Sequence, residues 1–298
     1  MAINTQKTMI LKFKNLIYKM LSINIKQLLL FAVFVKDFLR PYIRHIKYQG
    51  FTLVYSKGTS LVEVNGNPTV RFGGVYEPRE SLILANWLSE VRDKEPIFLD
   101  IGANIGLMSL NVLSSVPDTK IYAFEPGEHQ NFLLGKTIQT NNLEQKITLY
   151  KQALSKESGK GLFAVHKTQD CSGDGLFDTL RAGEVNTIEV ELNTLDDWWQ
   201  SVGCPLVDVM KIDTEGAELW ILQGGKKMIE TCKPKVLIEI NATNLIPYPY
   251  SPHDILDWIN NIEYSLQNLL GVPVNQDNIL NLLLDSDSFK MIPLDKSK

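Results

Sequence analysis

Cysteine is scarce in this 298-residue chain, and Cys171, Cys204 and Cys232 stand far apart without metal-ligand spacing. Neither a disulfide framework nor a zinc site is expected, and a reducing cytoplasm is the simplest setting. Long apolar runs are also missing. The run Leu28 to Val35 is eight residues between Lys26 and Lys36, far short of the ~20 that span a bilayer. No small-residue cleavage site follows it, so a secretory signal is not expected either. Two glycine patterns are absent as well. A dinucleotide fingerprint starting at Gly102 would need glycine at Asn104 and Leu107, and no phosphate loop with Gly-Lys-Ser/Thr follows.

What is present is an ordinary globular composition, 44% apolar and 21% charged, which excludes disordered and fibrous classes and allows one large α/β domain with an extension. The net charge of −4 is unevenly spread: residues 1–50 hold nine of the 30 Lys and Arg and one of the 34 acids. That arm suits an anionic partner, whereas the acidic remainder is unsuited to gripping nucleic acid. Lys12, Lys19, Lys26, Lys36 and Arg40 share one half of a helical wheel, and Phe13, Ile17, Met20, Phe31, Phe34 and Phe38 the other. The expectation is a basic amphipathic helix, or two broken near Ser22, closed by Pro41. Through residues 10–40 it would lie on a membrane surface, or pack on its own domain or a second subunit in an oligomer.

The chain is expected to divide into a helical extension (1–48), a small strand and helix lead-in (49–95) and a main domain (96–298) with an insertion at about 160–204. In the lead-in, Phe51 to Ser56, Leu61 to Val64 and Thr69 to Phe72 read as strands, with Asn65-Gly66 as a hairpin turn, and Glu80 to Val91 as a helix. Ile97 to Ile101 then reads as a buried parallel strand that stops at a glycine-bearing turn, with helical spacing from Ile105 onward. Open α/β sheets bind ligands at such carboxyl ends. There Gly102 and Gly106 would admit a ligand close to the backbone, and Asp100 would meet a cationic or hydroxyl-bearing group.

Further strands are expected at Lys120 to Phe124, Ile147 to Tyr150, Val207 to Ile212 and Val236 to Ile240. His129 to Thr140 reads as a helix with Phe132, Leu133 and Ile138 inward. The insertion offers strands at Gly161 to His166 and Thr187 to Leu192, flanking a polar loop, Asp170 to Gly175, of the kind that carries function. Thr194 with Asp197, and Ser251 with Pro252 and Asp254, are helix-start signals. Tyr264 to Leu270 and Ile279 to Leu284 are read as terminal strands.

The pattern Asp100-x-Gly102-Ala103-Asn104-x-Gly106, with Phe124-Glu125-Pro126 at the next strand end, resembles the first two motifs of S-adenosylmethionine-dependent methyltransferases. The run Lys211-Ile212-Asp213-Thr214-Glu215-Gly216-Ala217-Glu218 resembles the signature of FkbM-type methyltransferases. So do Leu222-x-Gly224-Gly225 behind it, Leu195-Asp196-Asp197 ahead of it and Tyr76-Glu77 before the first motif. The resemblance covers roughly Gly74 to Asn241. It implies a Rossmann-like α/β sheet of seven strands with the last antiparallel, S-adenosylmethionine as cofactor, and methylation of hydroxyls on sugars or polyketide-type natural products. It also implies cofactor contacts at Glu77, Asp100, Gly102, Ala103, Asn104, Gly106, Glu125, Pro126, Ala153 and Asp213, with both ribose hydroxyls on Glu125.

Methyl transfer to a hydroxyl needs a proton acceptor at the strand tips. Asp213 is the best placed, followed by Glu215, Glu239 and Asn241. Asp213 or Glu215 would take the proton directly, or would hold a divalent cation with Asn241; no dedicated metal ligand set is assigned. Glu218 reads as a first-turn helix carboxylate. Of the histidines, His129 is expected near adenine, His166 opens the insertion loop, and His253 reads as a helix N-terminal residue. Trp198, Trp199, Tyr248 and Tyr250 are acceptor-pocket candidates, with the tyrosine loop favoured over the tryptophans. The expected function is O-methylation of a sugar, glycan or lipid-linked intermediate. The alternatives are a secondary-metabolite O-methyltransferase and a non-catalytic cofactor-binding scaffold at a membrane surface.

Overall fold

A computed structural model describes residues 43–56, 59, 62–64, 67–68, 75–91, 94–166, 173–179 and 184–294. The basic helix expected at 10–40 and the strand expected at Thr69 to Phe72 lie outside the described residues.

The first described element lies within the stretch read as a helical extension. β1 (Ile43–Tyr48) is a strand that pairs antiparallel with β2 (Phe51–Ser56), Tyr48 opposite Phe51. Gln49 and Gly50 both have left-handed φ, 48° and 86°, and two such residues form the turn whose twist matches a hairpin. β3 (Glu63–Val64) and β4 (Asn67–Pro68) pair across residues 65–66, as the hairpin signal requires.

The main sheet begins after α1 (Pro78–Ser89) with β5 (Ile97–Ile101), α2 (Leu107–Ser115), β6 (Lys120–Phe124), α3 (Glu128–Asn141) and β7 (Ile147–Tyr150). An excursion follows through β8 (Ala153–Leu154), β9 (Gly159–His166) and β10 (Val185–Asn193), which form their own small sheet in the order β8-β10-β9. α4 (Leu195–Ser201) is capped by Thr194, whose Oγ1 accepts from the Asp197 amide at 2.9 Å. The chain returns through β11 (Val209–Ile212), α5 (Glu218–Gly224), α6 (Lys226–Cys232), β12 (Lys235–Glu239), α7 (Pro252–Asn261) and β13 (Tyr264–Asn268). α7 starts at a capping box between Ser251 and Asp254.

The end of the chain differs from the reading. Ile279 to Leu284 is not a strand; Ile279–Leu283 is a helix, α8, and the final strand is β14 (Ser288–Pro293). A short apolar run cannot be assigned by periodicity alone. The alternation was further on: Phe289 and Met291 are buried with Lys290 less so between them. The seven-stranded sheet has the order β13-β14-β12-β11-β5-β6-β7. β5, β6, β7, β11 and β12 run parallel, and β14 is antiparallel to both its neighbours.

Alternate residues of these strands feed two cores. Leu99, Ile101, Tyr122, Phe124, Met210, Ile212 and Ile238 face one, where Trp198 meets Tyr122 and Phe124 edge-on at 5.1 and 5.2 Å. Phe98, Ile121, Ala123, Val209 and Leu237 face the other with Leu84, Met108 and Val112 from α1 and α2. In α3 the inward residues include Leu133, Leu134 and Ile138; Phe132, expected inward, is 45% exposed. Trp198 and Trp199 are buried core, which removes them from the acceptor-pocket candidates.

The β1–β2 hairpin also steadies the segment before α1. The Tyr48 hydroxyl donates to Asn111 Oδ1 at 2.5 Å and accepts from the Tyr76 amide at 3.0 Å, while Asn111 Nδ2 reaches the Tyr76 carbonyl at 2.9 Å. Tyr48→Phe would leave a buried donor and acceptor without a partner. The expected loss is about 1–3 kcal/mol of unfolding free energy in urea denaturation, and a loss below about 0.5 kcal/mol would show that the hydroxyl carries none of this segment's order.

Candidate active site

At the carboxyl ends of β5, β6, β11 and β12 lies a cavity of about 340 Å³. Glu77, Asp100, Gly102, Ala103, Asn104, Glu125, Pro126, Ala153, Asp213, Glu215 and Glu239 all line it. Gly106 does not: a Cβ there would sit 2.4 Å from Leu134 Cδ1, so its φ of 90° serves helix packing. Gly102 likewise answers to the protein, since a Cβ would fall 1.8 Å from the Asp213 carbonyl oxygen. This close approach, absent from the ligand-based reading of the glycine, brings the β5 turn against the tip of β11.

The β5 turn is tied to β6 by backbone. Gly102 and Ala103 amides both donate to the Phe124 carbonyl at 3.0 Å. Asn104, at φ 50°, gives its amide to Glu125 Oε2 at 2.8 Å, and Gly127 gives its amide to Oε1 at 2.8 Å. Burial nonetheless dominates and pushes the Glu125 carboxyl up to about 8. Asp100 is fully buried; its Oδ2 accepts from Ser109 Oγ at 2.5 Å, and Oδ1 is buried with no partner.

Alternation explains the β11 side. Val209, Lys211 and Asp213 share one face, and the same face carries Asp100 after Phe98 and Glu239 after Leu237. Lys211 is 6% exposed and its Nζ meets Asp213 Oδ2 at 2.6 Å. Burial opposes its charge, but Asp213, Glu77, Tyr76 and Asp100 outweigh that and hold the ammonium well above its usual range. Burial raises the Glu77 carboxyl. Beside Asp213, and buried, the Glu239 carboxyl is pushed well above the ordinary range. Glu215, at φ 58°, accepts from Asn244 Nδ2 at 2.6 Å. Glu218 does more than charge a helix start: its Oε1 accepts from the Thr214 and Gly216 amides at 3.1 Å, fixing the loop that carries Glu215.

Other readings are corrected. Asn241 is outside the cavity lining; its Nδ2 donates to Asp287 at 2.8 Å and its Oδ1 accepts from the Thr243 and Asn244 amides, so it does not converge on a cation with Asp213. His129 Nε2 lies 2.6 Å from Ser56 Oγ and His129 is not among the cavity-lining residues, and His253 Nε2 lies 3.3 Å from the Gln276 carbonyl. Tyr248 is buried against Phe177, Trp220 and Tyr250, and Tyr250 lines a separate groove of about 430 Å³ with Trp220 and Trp258.

Sequence reasoning missed Lys211, Gln130 and Asp174 as cavity residues. Asp174 comes from the insertion: its Oδ1 accepts from the His166 amide at 2.8 Å and faces His166 Nδ1 at 3.2 Å, and its Oδ2 accepts from Gln130 Nε2 at 2.6 Å. The polarity of that loop was the available signal. Among the described residues, the lining holds eight carboxylates, from Glu77, Asp100, Glu125, Asp174, Asp213, Glu215, Glu239 and Asp287, against the ammonium of Lys211. That balance, with the unpartnered Asp100 oxygen, fits a ligand carrying sulfonium and ammonium charges beside hydroxyl donors, as S-adenosylmethionine does.

The raised Glu125 value sets a pH dependence. An unfolded glutamate ionises near pH 4.3, so between there and about 8 the folded, ligand-free protein holds a proton that the unfolded chain releases. This contribution to stability is complete below the unfolded value and is lost as pH rises to about 8. Glu125→Gln should flatten that decline in urea titrations from pH 5 to 8; a slope identical to wild type would assign it to other groups.

The FkbM methyltransferase domain matches residues 100–266, over half of the chain. The 2-O-methyltransferase NoeI of Sinorhizobium fredii is 25% identical over 174 residues, 52% of this chain and 68% of that protein. Methyltransferase sdnD of Sordaria araneosa is 28% identical over 160 residues, 43% of this chain and 60% of its own. The crystal structure of an FkbM methyltransferase from Methylobacillus flagellatus aligns over 68% of this chain and 45% of its own length, with 18% identity and a TM-score of 0.43. Among the described residues no helix is long and apolar enough to cross a membrane. The chain belongs to the FkbM methyltransferase family, and it is a methyltransferase whose methyl donor is S-adenosylmethionine.

Proposed function

We propose that this protein is an O-methyltransferase acting on a hydroxyl of a sugar, glycan or lipid-linked saccharide, with Asp213 as the proton acceptor. The observation that carries the reading is the gathering of Asp213, Glu215 and Glu239 on the β11–β12 side of the cavity, opposite Glu125 on the β6 side. The Sinorhizobium relative is named a 2-O-methyltransferase, which supports oxygen as the acceptor atom.

When bound, S-adenosylmethionine supplies an electrophilic methyl group on a sulfonium. Glu125 would hold the ribose hydroxyls, Asp100 the ammonium group, and the backbone from Gly102 to Asn104 the space between them. The acceptor hydroxyl loses its proton as its oxygen attacks, and that proton goes to a carboxylate. The ion pair with Lys211 at 2.6 Å holds the Asp213 carboxyl in place at the strand tip, where that proton is released. The Glu239 carboxyl, pushed up by Asp213 beside it and by burial, is suited to donate a hydrogen bond to the acceptor instead. Glu215, fixed by Asn244, would orient a second hydroxyl.

The test is transfer of labelled methyl from S-adenosylmethionine to a panel of mono- and oligosaccharides, followed by alkali. An ether label survives that treatment and an ester label does not. Transfer only to polyketide-type alcohols would move the substrate class, and label on nitrogen or in an ester would overturn the reading.

In the same assay Asp213→Asn is expected to lower kcat by about 10²–10⁴-fold, the usual size of a lost general base, while Glu239→Gln, which keeps a neutral hydrogen-bonding group, costs under about tenfold. An Asp213→Asn variant within threefold of wild type would remove Asp213 from the proton-accepting role.

A further inference from the structure

Among the described residues the cavity holds one cationic side chain, Lys211, and its surroundings are more specific than neutralising an acid requires. In the register of the sheet, Lys211 on β11 lies directly beside Asp100 on β5, both on the face turned to α1 and α2. Asp100 is fully buried, satisfied at Oδ2 by Ser109 and unpartnered at Oδ1. Lys211 is an ammonium with three donors, of which Asp213 takes one at 2.6 Å. Both residues line the cavity. An anionic acceptor and a cationic donor on neighbouring strands complement a zwitterion, in which an ammonium and a carboxylate share one carbon.

We infer that Asp100 and Lys211 form a clamp for an α-amino acid group, with Lys211 binding the α-carboxylate at the methionine end of the cofactor and Asp100 its ammonium. Among the described residues, which place eight carboxylates in the lining, a ligand carboxylate has no other positively charged side chain to meet. Without Lys211 it would face uniform repulsion in a site of low polarity, where unpaired charge is most costly. The clamp also gives Lys211 a function separate from its pairing with Asp213: one donor steadies the acid at the strand tip, and another receives the ligand.

The test is binding rather than turnover, using two ligands that share the adenosine and thioether parts. S-adenosylhomocysteine carries the amino acid group and 5′-methylthioadenosine lacks it. By calorimetric titration, Lys211→Met is expected to weaken S-adenosylhomocysteine by about 10–100-fold, the size of a lost charge-assisted hydrogen bond, and 5′-methylthioadenosine by less than about threefold. Equal weakening of both ligands, or unchanged affinity for S-adenosylhomocysteine, overturns the clamp. If Lys211→Met does not fold, wild type titrated with decarboxylated S-adenosylhomocysteine decides: binding at least about tenfold weaker than the parent supports the clamp, and equal binding overturns it. Binding of none of these ligands to wild type would overturn the cofactor assignment along with it.

Discussion

A single buried ammonium makes the rest of the site possible. Glu77, Asp100 and Asp213 converge around Lys211 from three separate segments, and burial drives the Glu77 and Asp100 carboxyls toward their neutral forms. Lys211, 6% exposed and paired with Asp213 at 2.6 Å, is stabilised in turn by the acids that surround it. Removing a member of such a group leaves uncompensated buried charge, which typically costs several kcal/mol. The fold tolerates the cluster because β5 and β11 are adjacent parallel strands in register, so the charge balance is built into the sheet.

Close packing sets the spacing around that cluster. The Asp213 carbonyl occupies the place a Cβ would take at residue 102. The turn after β5 and the tip of β11 are therefore pressed together, and one cavity receives groups from both. The Glu125 carboxyl closes the same turn from β6 through the amides of Asn104 and Gly127. A residue that family resemblance reads as a ligand contact is thus also a structural tie. Its raised value follows from being buried as a tie, and ribose hydroxyls meeting it would add donors that favour its ionised form.

Much of this was legible in the sequence for a physical reason: glycine turns, acidic strand ends and helix caps are local, and local chemistry survives translation into structure. β5, β6 and β12 matched within a residue at most of their ends, and Thr194 and Ser251 cap as read. What failed depended on partners distant in sequence. Phe132 and Leu134 point to opposite sides of their helix, both are apolar, and only the neighbouring elements select the side that carries Leu134. The run from Ile279 fits helix or strand equally, and the sheet already had its seventh strand in Ser288–Pro293. Asn241 stands at a strand tip like Glu239 but is consumed by Asp287 and its own loop.

Lys211 shows where a better reading was available. In the sequence it stands out only as part of a signature, since strands of parallel sheets are commonly buried on both faces and lysine is not expected there. Strand geometry still sends residues 211 and 213 to one side, so an acid at the tip implied that the lysine two before it pointed the same way. With Asp100 at the matching height of β5, a charged row across the sheet followed from register alone. Asp174 gave no comparable signal, since it enters through an insertion whose return path the sequence does not specify, and its hydrogen bonds with His166 and Gln130 join that insertion to the helix behind Glu125. The strand-tip half of the site is therefore a consequence of sheet geometry, while the insertion half depends on long-range contacts that only the folded chain supplies.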